Sequence, residues 1–136
     1  AYRIKRKRKG NKDVPSIHYK GHFIYPACVL NHPDYITLSL AAKALLNDIG
    51  AQYNGWNNGD LQCSRTVMSE RGWTSNSTRE RALKELIEAG LIVMTRQGGR
   101  GIGPNLYAIT WQPIHECGGK HDLKPTTRAY RKWEDA

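Results

Sequence analysis

No uninterrupted apolar run in this sequence approaches the roughly 20 residues of a membrane span, so no membrane partner is expected. Cysteine is scarce. Cys28, Cys63 and Cys117 are odd in number and far apart, which excludes a disulfide framework and suits free thiols in a reducing cytoplasm. No Cys-x-x-Cys pair accompanies His115, Cys117 and His121 in "HECGGKH", so those three potential ligands lack the partner a tetrahedral zinc site needs, and no metal is expected. The glycine run "GGRGIG" opens no helix and lacks the Gly-Lys-Ser/Thr ending of a phosphate loop; it reads as a turn, and no cofactor is expected. No serine, cysteine or carboxylate has a recognisable base or acid partner, so no catalytic residue is assigned. Glu70, Glu80, Glu85 and Glu88 fit helix caps and solvated helix faces. There is no internal repeat.

Acidic residues are also few: 12 Asp/Glu stand against 21 Lys/Arg, for a net charge of +9. Such an excess points to a polyanionic partner. It is concentrated at one end, since residues 1–33 hold eight Lys/Arg against Asp13 alone. "RIKRKRKGNK" is too poor in apolar residues to pack and is followed by no apolar segment of the secretory kind, so residues 1–13 read as a charged, flexible arm.

The remaining 123 residues carry enough apolar content for one core. Residues 14–36 form a strap or short hairpin leading into it, because "SIHYKGHFIYPACVL" alternates weakly and breaks at Lys20-Gly21. Ser39 can cap a helix over about 39–52, with Leu40, Ala41, Ala44, Leu45 and Ile49 at helical spacing. "YNGWNNGD" must turn, and Leu61–Cys63 is a short strand candidate. Ser64 caps a brief helix over Arg65–Arg71 that ends at Gly72, with Trp73 packed between this helix and the next. Ser77 and Glu80 have capping-box spacing and predict the start of a third helix. Leu83, Leu86 and Ile87 form its core stripe, and Gly90 follows its end. "LIVMTRQ" and "LYAITW", separated by "GGRGIGPN", form an antiparallel hairpin with a basic tip.

This order predicts an α+β fold: a winged helix-turn-helix over 37–111, three helices plus a β-hairpin wing, flanked by the basic arm and by a C-terminal extension over 112–136. Ser77, Thr78, Arg81 and Lys84 fall outside the core stripe of the third helix, and Ser75 and Asn76 sit at its N-terminus, where backbone amides favour phosphate. Arg81 has the reach and geometry to fork onto guanine. Arg79 falls on the inward side and is expected to snorkel to a phosphate. Arg96 and Arg100 flank the glycines of the wing, where a thin hairpin can lay a guanidinium against a sugar-phosphate backbone. Tyr130 and Trp133, aromatics in a polar tail, are expected to dock on the domain itself or on a partner protein.

The phrases "LSLAAKALL", "QYNGWNNGDLQCS", "RALKELIEAGLI" and "NLYAITW" resemble small winged-helix proteins of bacterial mobile elements, such as prophages and integrative elements, close in style to replication-initiator and replisome-organiser domains. That resemblance spans about residues 36–111 and implies double-stranded DNA binding through Ser75 to Lys84. With Arg3, Lys5, Arg6, Lys7, Arg8 and Lys9 of the arm, it gives the expected function: a non-enzymatic, cytoplasmic, nucleoid-associated DNA-binding protein, acting as transcriptional regulator or replication-origin factor. A palindromic site would require a homodimer with half-sites about one helical turn apart. The alternative is an RNA- or ribosome-associated basic protein, since arginine-rich arms also fold on RNA.

Overall fold

The computed structural model describes residues 22–135, so the 1–13 arm and the beginning of the 14–36 segment lie outside the described residues. Residues 22–26 have no regular secondary structure and lie across Trp111, whose indole Nε1 donates to the Ile24 carbonyl at 2.8 Å. Phe23 and Tyr25 flank the same ring, with centroids 5.7 and 5.4 Å from it. No hairpin forms in the described part of this segment. Two short helices follow instead, α1 (Ala27–Leu30) and α2 (Pro33–Ile36). Prolines explain the change, because Pro26 and Pro33 cannot donate to a strand ladder but suit the start of a helix. His32 completes α2 by accepting the Asp34 N–H on Nδ1 at 2.9 Å.

Ser39 caps α3 (Leu40–Gly50), its Oγ accepting the Ala42 N–H at 3.1 Å. The buried stripe is Ala42, Leu45, Leu46 and Ile49, rotated from the predicted one; Leu40 is 82% exposed. A side chain at the first helical position tilts back toward the N-terminus, past the packed surface. The predicted Leu61–Cys63 strand shrinks to one bridge, in which Leu61 and Tyr107 exchange backbone hydrogen bonds of 3.1 and 2.8 Å.

Ser64 caps α4 (Arg65–Ser69) by accepting from the Val67 N–H. After it, Trp73 and Arg71 both donate to the Asp48 carboxylate on α3, at 2.7 and 2.9 Å, which fixes the turn between α4 and α5. α5 runs Asn76–Glu88 and is capped by Ser75, not Ser77. With extended Ser75 as the cap, Thr78 takes the third helical position and the Ser77–Glu80 capping box does not form. The far end closes as predicted at Gly90 (φ 80°), with the Gly90 and Leu91 N–H groups turned back onto Ile87 and Leu86.

β1 (Ile92–Arg96) and β2 (Leu106–Ile109) pair antiparallel, Ile92 with Ile109 and Met94 with Tyr107, with a bulge at Thr95. All four β2 residues are buried. Asn58, fully buried, completes β2: its side chain accepts the Ile109 N–H at 2.7 Å and donates to the Ile109 carbonyl at 3.0 Å. "YNGWNNGD" is thus a turn and also a side-chain extension of the sheet.

The core lies where α3 packs on α5, under β1 and β2. Leu45, Leu46, Leu86 and Ile109 are fully buried, each contributing on the order of 1.5–3 kcal/mol. The C-terminal extension packs on this core through Trp133, which is 3% exposed and meets Trp111 and His32 edge-on. Arg131 lies over the Trp133 ring at 3.7 Å and donates to the Ala89 carbonyl and the Asp34 carboxylate, joining the tail to α5 and α2.

Candidate nucleic-acid interface

The start of α5 and the hairpin tip border one cavity of about 230 Å³, lined by Cys63, Ser64, Arg79 and the tip residues Gly98, Gly99, Gly103 and Pro104. A second groove, of about 470 Å³, lies between Arg65, Thr66 and Ser69 of α4 and Trp73, Thr74 and Asn76 at the start of α5. Arg65 and Thr66 were not among the sequence candidates. Their signal was the Ser64 cap, which puts them in the exposed first turn of α4.

Of the predicted residues at the start and along the outer face of α5, Ser75, Asn76, Ser77, Arg81 and Lys84 are exposed and Thr78 is half-buried. Lys84 lies 3.9 Å from Glu88 in an exposed pair one turn apart, an interaction of about 0.3–0.5 kcal/mol that leaves the ammonium available. Arg81 points to solvent one turn before Glu85. That carboxylate accepts from the Ser39 backbone N–H at 2.9 Å and hydroxyl at 2.7 Å, which hold its pKa below the ordinary value, with a smaller contribution from Arg81. Glu85 thereby joins the start of α3 to the middle of α5.

Two of the predicted contact residues have partners within the protein. Arg79 does not snorkel outward: its side chain is 11% exposed and Nη1 donates to the Cys63 carbonyl at 2.8 Å, with Glu80 at 3.6 Å. The carbonyl of the chain entering α4 is nearer than any solvent route, so the guanidinium joins α5 to that chain. Burial pushes the adjacent Cys63 thiol up to about 11, with Arg79 opposing the shift. Arg96 likewise turns back, donating to the Pro104 carbonyl at 2.8 Å and the Lys120 carbonyl at 3.3 Å, while its buried Nε has no partner. The bulge at Thr95 shifts the register just before Arg96 and re-aims its side chain across the hairpin.

Arg100 remains exposed at the tip. Gly99 and Gly103 exchange backbone hydrogen bonds of 3.0 and 3.1 Å and close the loop that carries it. Gly98 has no room for a Cβ, because the Gly103 carbonyl and the Pro104 backbone occupy that space. Arg3, Lys5, Arg6, Lys7, Arg8 and Lys9 lie outside the described residues. From residue 22 onward, thirteen Lys/Arg stand against eleven Asp/Glu, so the charge excess belongs almost entirely to the preceding segment.

In the "HECGGKH" loop, His115 Nδ1 accepts the Asn58 N–H at 2.9 Å and His121 Nε2 lies 2.7 Å from the His115 carbonyl. Among the described residues, no three His, Cys, Asp or Glu side chains are grouped to hold a metal. No helix among them is long and apolar enough to cross a membrane.

The described elements define a mixed α+β protein, five α-helices with a two-stranded antiparallel sheet, in an order compatible with a winged helix. Comparison with protein-family models, curated proteins and solved structures returned no match.

Proposed function

We propose that the chain is a winged-helix protein that binds double-stranded DNA without catalysing a reaction, with α5 as the recognition helix and the 97–105 tip as the wing. The observation that carries this reading is that Arg81 and Lys84 of α5 and Arg100 of the glycine-rich tip all stay exposed, while the start of α5 borders an open groove with α4. An exposed helix start offers free amides to phosphate, and a glycine-rich tip approaches a sugar-phosphate backbone closely. Arg81, in the first half of α5, is the residue suited to a guanine edge. The arm adds sequence-independent attraction to phosphate, so it sets affinity and salt dependence more than specificity. By its resemblance to mobile-element proteins, we assign it the role of transcriptional regulator or origin-binding factor in the nucleoid, and a palindromic target would be met by a homodimer.

Competition of duplex DNA against structured RNA tests the reading directly. Duplex should displace RNA, and Arg81→Ala should weaken the preferred duplex by about 1–3 kcal/mol while relaxing discrimination at one base position. Tighter binding to structured RNA than to any duplex would overturn it in favour of an RNA-associated protein.

A further inference from the structure

His115 and Asn58 are bonded to each other in both directions. The His115 backbone N–H donates to the Asn58 carbonyl at 2.8 Å, and the Asn58 backbone N–H donates to His115 Nδ1 at 2.9 Å. A backbone N–H can only donate, so Nδ1 is the unprotonated nitrogen of this ring and the proton sits on Nε2. Asn58 is fully buried, and its side chain accepts the Ile109 N–H and donates to the Ile109 and Pro113 carbonyls. A second proton on the ring would therefore set a donor against a buried donor and leave the Asn58 N–H without a partner.

The loop that begins at His115 supports the hairpin from outside. His121 closes it, Nδ1 accepting the Leu123 N–H at 3.2 Å and Nε2 donating to the His115 carbonyl at 2.7 Å. The Asp122 N–H then donates to the Thr95 carbonyl at the β1 bulge at 2.9 Å, and the Lys120 carbonyl accepts from Arg96 at 3.3 Å. Thr95 donates its buried hydroxyl to the Gly59 carbonyl at 2.6 Å, beside Asn58. Within the loop, Cys117 has φ 53°, a left-handed angle that no other non-glycine residue adopts among the described residues. Such an angle persists only where the surroundings impose it.

The groups around the His115 ring do not favour a charge on it. Tyr53 stacks on the ring at 16° and 6.4 Å, and burial raises the pKa of its phenol, which stays neutral. Asp60 is engaged with Lys120 at 2.9 Å, and Glu116, Cys117 and His121 belong to the same loop. Among the described residues, neither Asp60 nor Glu116 forms an ion pair with the ring, and burial lowers the His115 pKa from its ordinary 6.5. Its contribution to loop stability is therefore present above 6.5 and lost as pH falls from there through the lower folded value.

We propose that the 115–122 loop is a pH-sensitive brace on the hairpin: protonation of His115 breaks its bond to Asn58, releases the loop and removes the outer support of β1 at its bulge. The brace is made of contacts within the chain, so it does not depend on the duplex reading.

Amide hydrogen exchange of the full chain, followed by NMR and corrected for the intrinsic pH dependence of exchange, tests it. From about pH 7.5 to about pH 5.5, protection at Asn58 and Asp122 should fall by up to about tenfold, the factor for one histidine that titrates at its ordinary pKa only when the loop is open. At both pH values these two amides should exchange faster than that of Leu86 in the core, because the loop opens without the domain unfolding. His115→Asn, whose Oδ1 can accept the same N–H without titrating, should lose most of the pH dependence. Ring nitrogen shifts of the unmodified chain give an arm that needs no variant: Nδ1 should gain its proton only as Asn58 loses protection. Protonation of the ring with Asn58 still protected would overturn the proposal, and so would an equal fall in His115→Asn. Exchange of Asn58 and Asp122 at the Leu86 rate throughout would mean that the loop opens only with the whole domain, which also overturns it.

Discussion

Arg79, Arg96 and Arg131 occupy one kind of region and Arg81 and Arg100 another. The first three reach backbone carbonyls at places where separate segments meet: Arg79 at Cys63, Arg96 at Pro104 and Lys120, Arg131 at Ala89. The other two are exposed, Arg81 on α5 and Arg100 at the hairpin tip. Guanidinium offers five donors in a rigid fork, so an arginine beside unsatisfied carbonyls becomes a structural tie. A basic residue in a recognition-like pattern is a candidate contact only when no carbonyl lies within its reach. By that criterion the described interface is sparse, and the preceding basic segment supplies most of the charge a polyanion would meet.

This contrast is sharpened first at Trp133. Trp133→Ala removes a buried indole from beneath Arg131 and should cost about 3–5 kcal/mol, read as a lower thermal midpoint; duplex affinity measured well below that midpoint should hold. A change in affinity with no loss of stability would mean that the tail belongs to the binding surface. Next in size, Arg96→Ala leaves two carbonyls without their donor and should destabilise by about 1–3 kcal/mol in denaturant titrations, with the salt slope of duplex binding unchanged. A flatter salt slope at wild-type stability would return Arg96 to the wing's contact set.

Arg100→Ala should do the reverse. Stability should stay within about 0.5 kcal/mol, while the slope of log K against log salt falls by about one unit for one lost phosphate contact. Unchanged affinity at every salt concentration would mean that the tip faces away from DNA. The smallest effect is expected at Ser39. Ser39→Ala removes the α3 cap and one of two donors to Glu85, and should cost about 1 kcal/mol near neutral pH. Because Glu85 is held below its ordinary pKa of 4.5 in the folded state, its contribution is present above that value and is lost as pH falls through the lower folded one. The gap between variant and wild type should therefore narrow in acid, and a gap constant with pH would leave the cap alone as its cause.

Sequence by itself determined the elements whose causes are local. Ser39 and Ser64 cap the helices they precede, Gly90 ends α5 in the left-handed region, and the two β-branched runs around "GGRGIGPN" pair as a hairpin, because each depends on residues within a few positions. The helical wheel also placed Arg79 on the inward side. Only the tertiary structure decided what required distant partners. The choice of Ser75 over Ser77 followed from where the chain leaves the Trp73–Asp48 turn, and Arg79 and Arg96 found carbonyls contributed by other segments. Asn58 became the end of β2, 51 residues away in the chain, and Trp133 a core residue against Trp111. Trp56 came to stand beside His115, which is brought from beyond the sheet. Local spacing fixes backbone angles and helix faces, but which carbonyl, ring or carboxylate waits opposite a given side chain depends on how the elements pack.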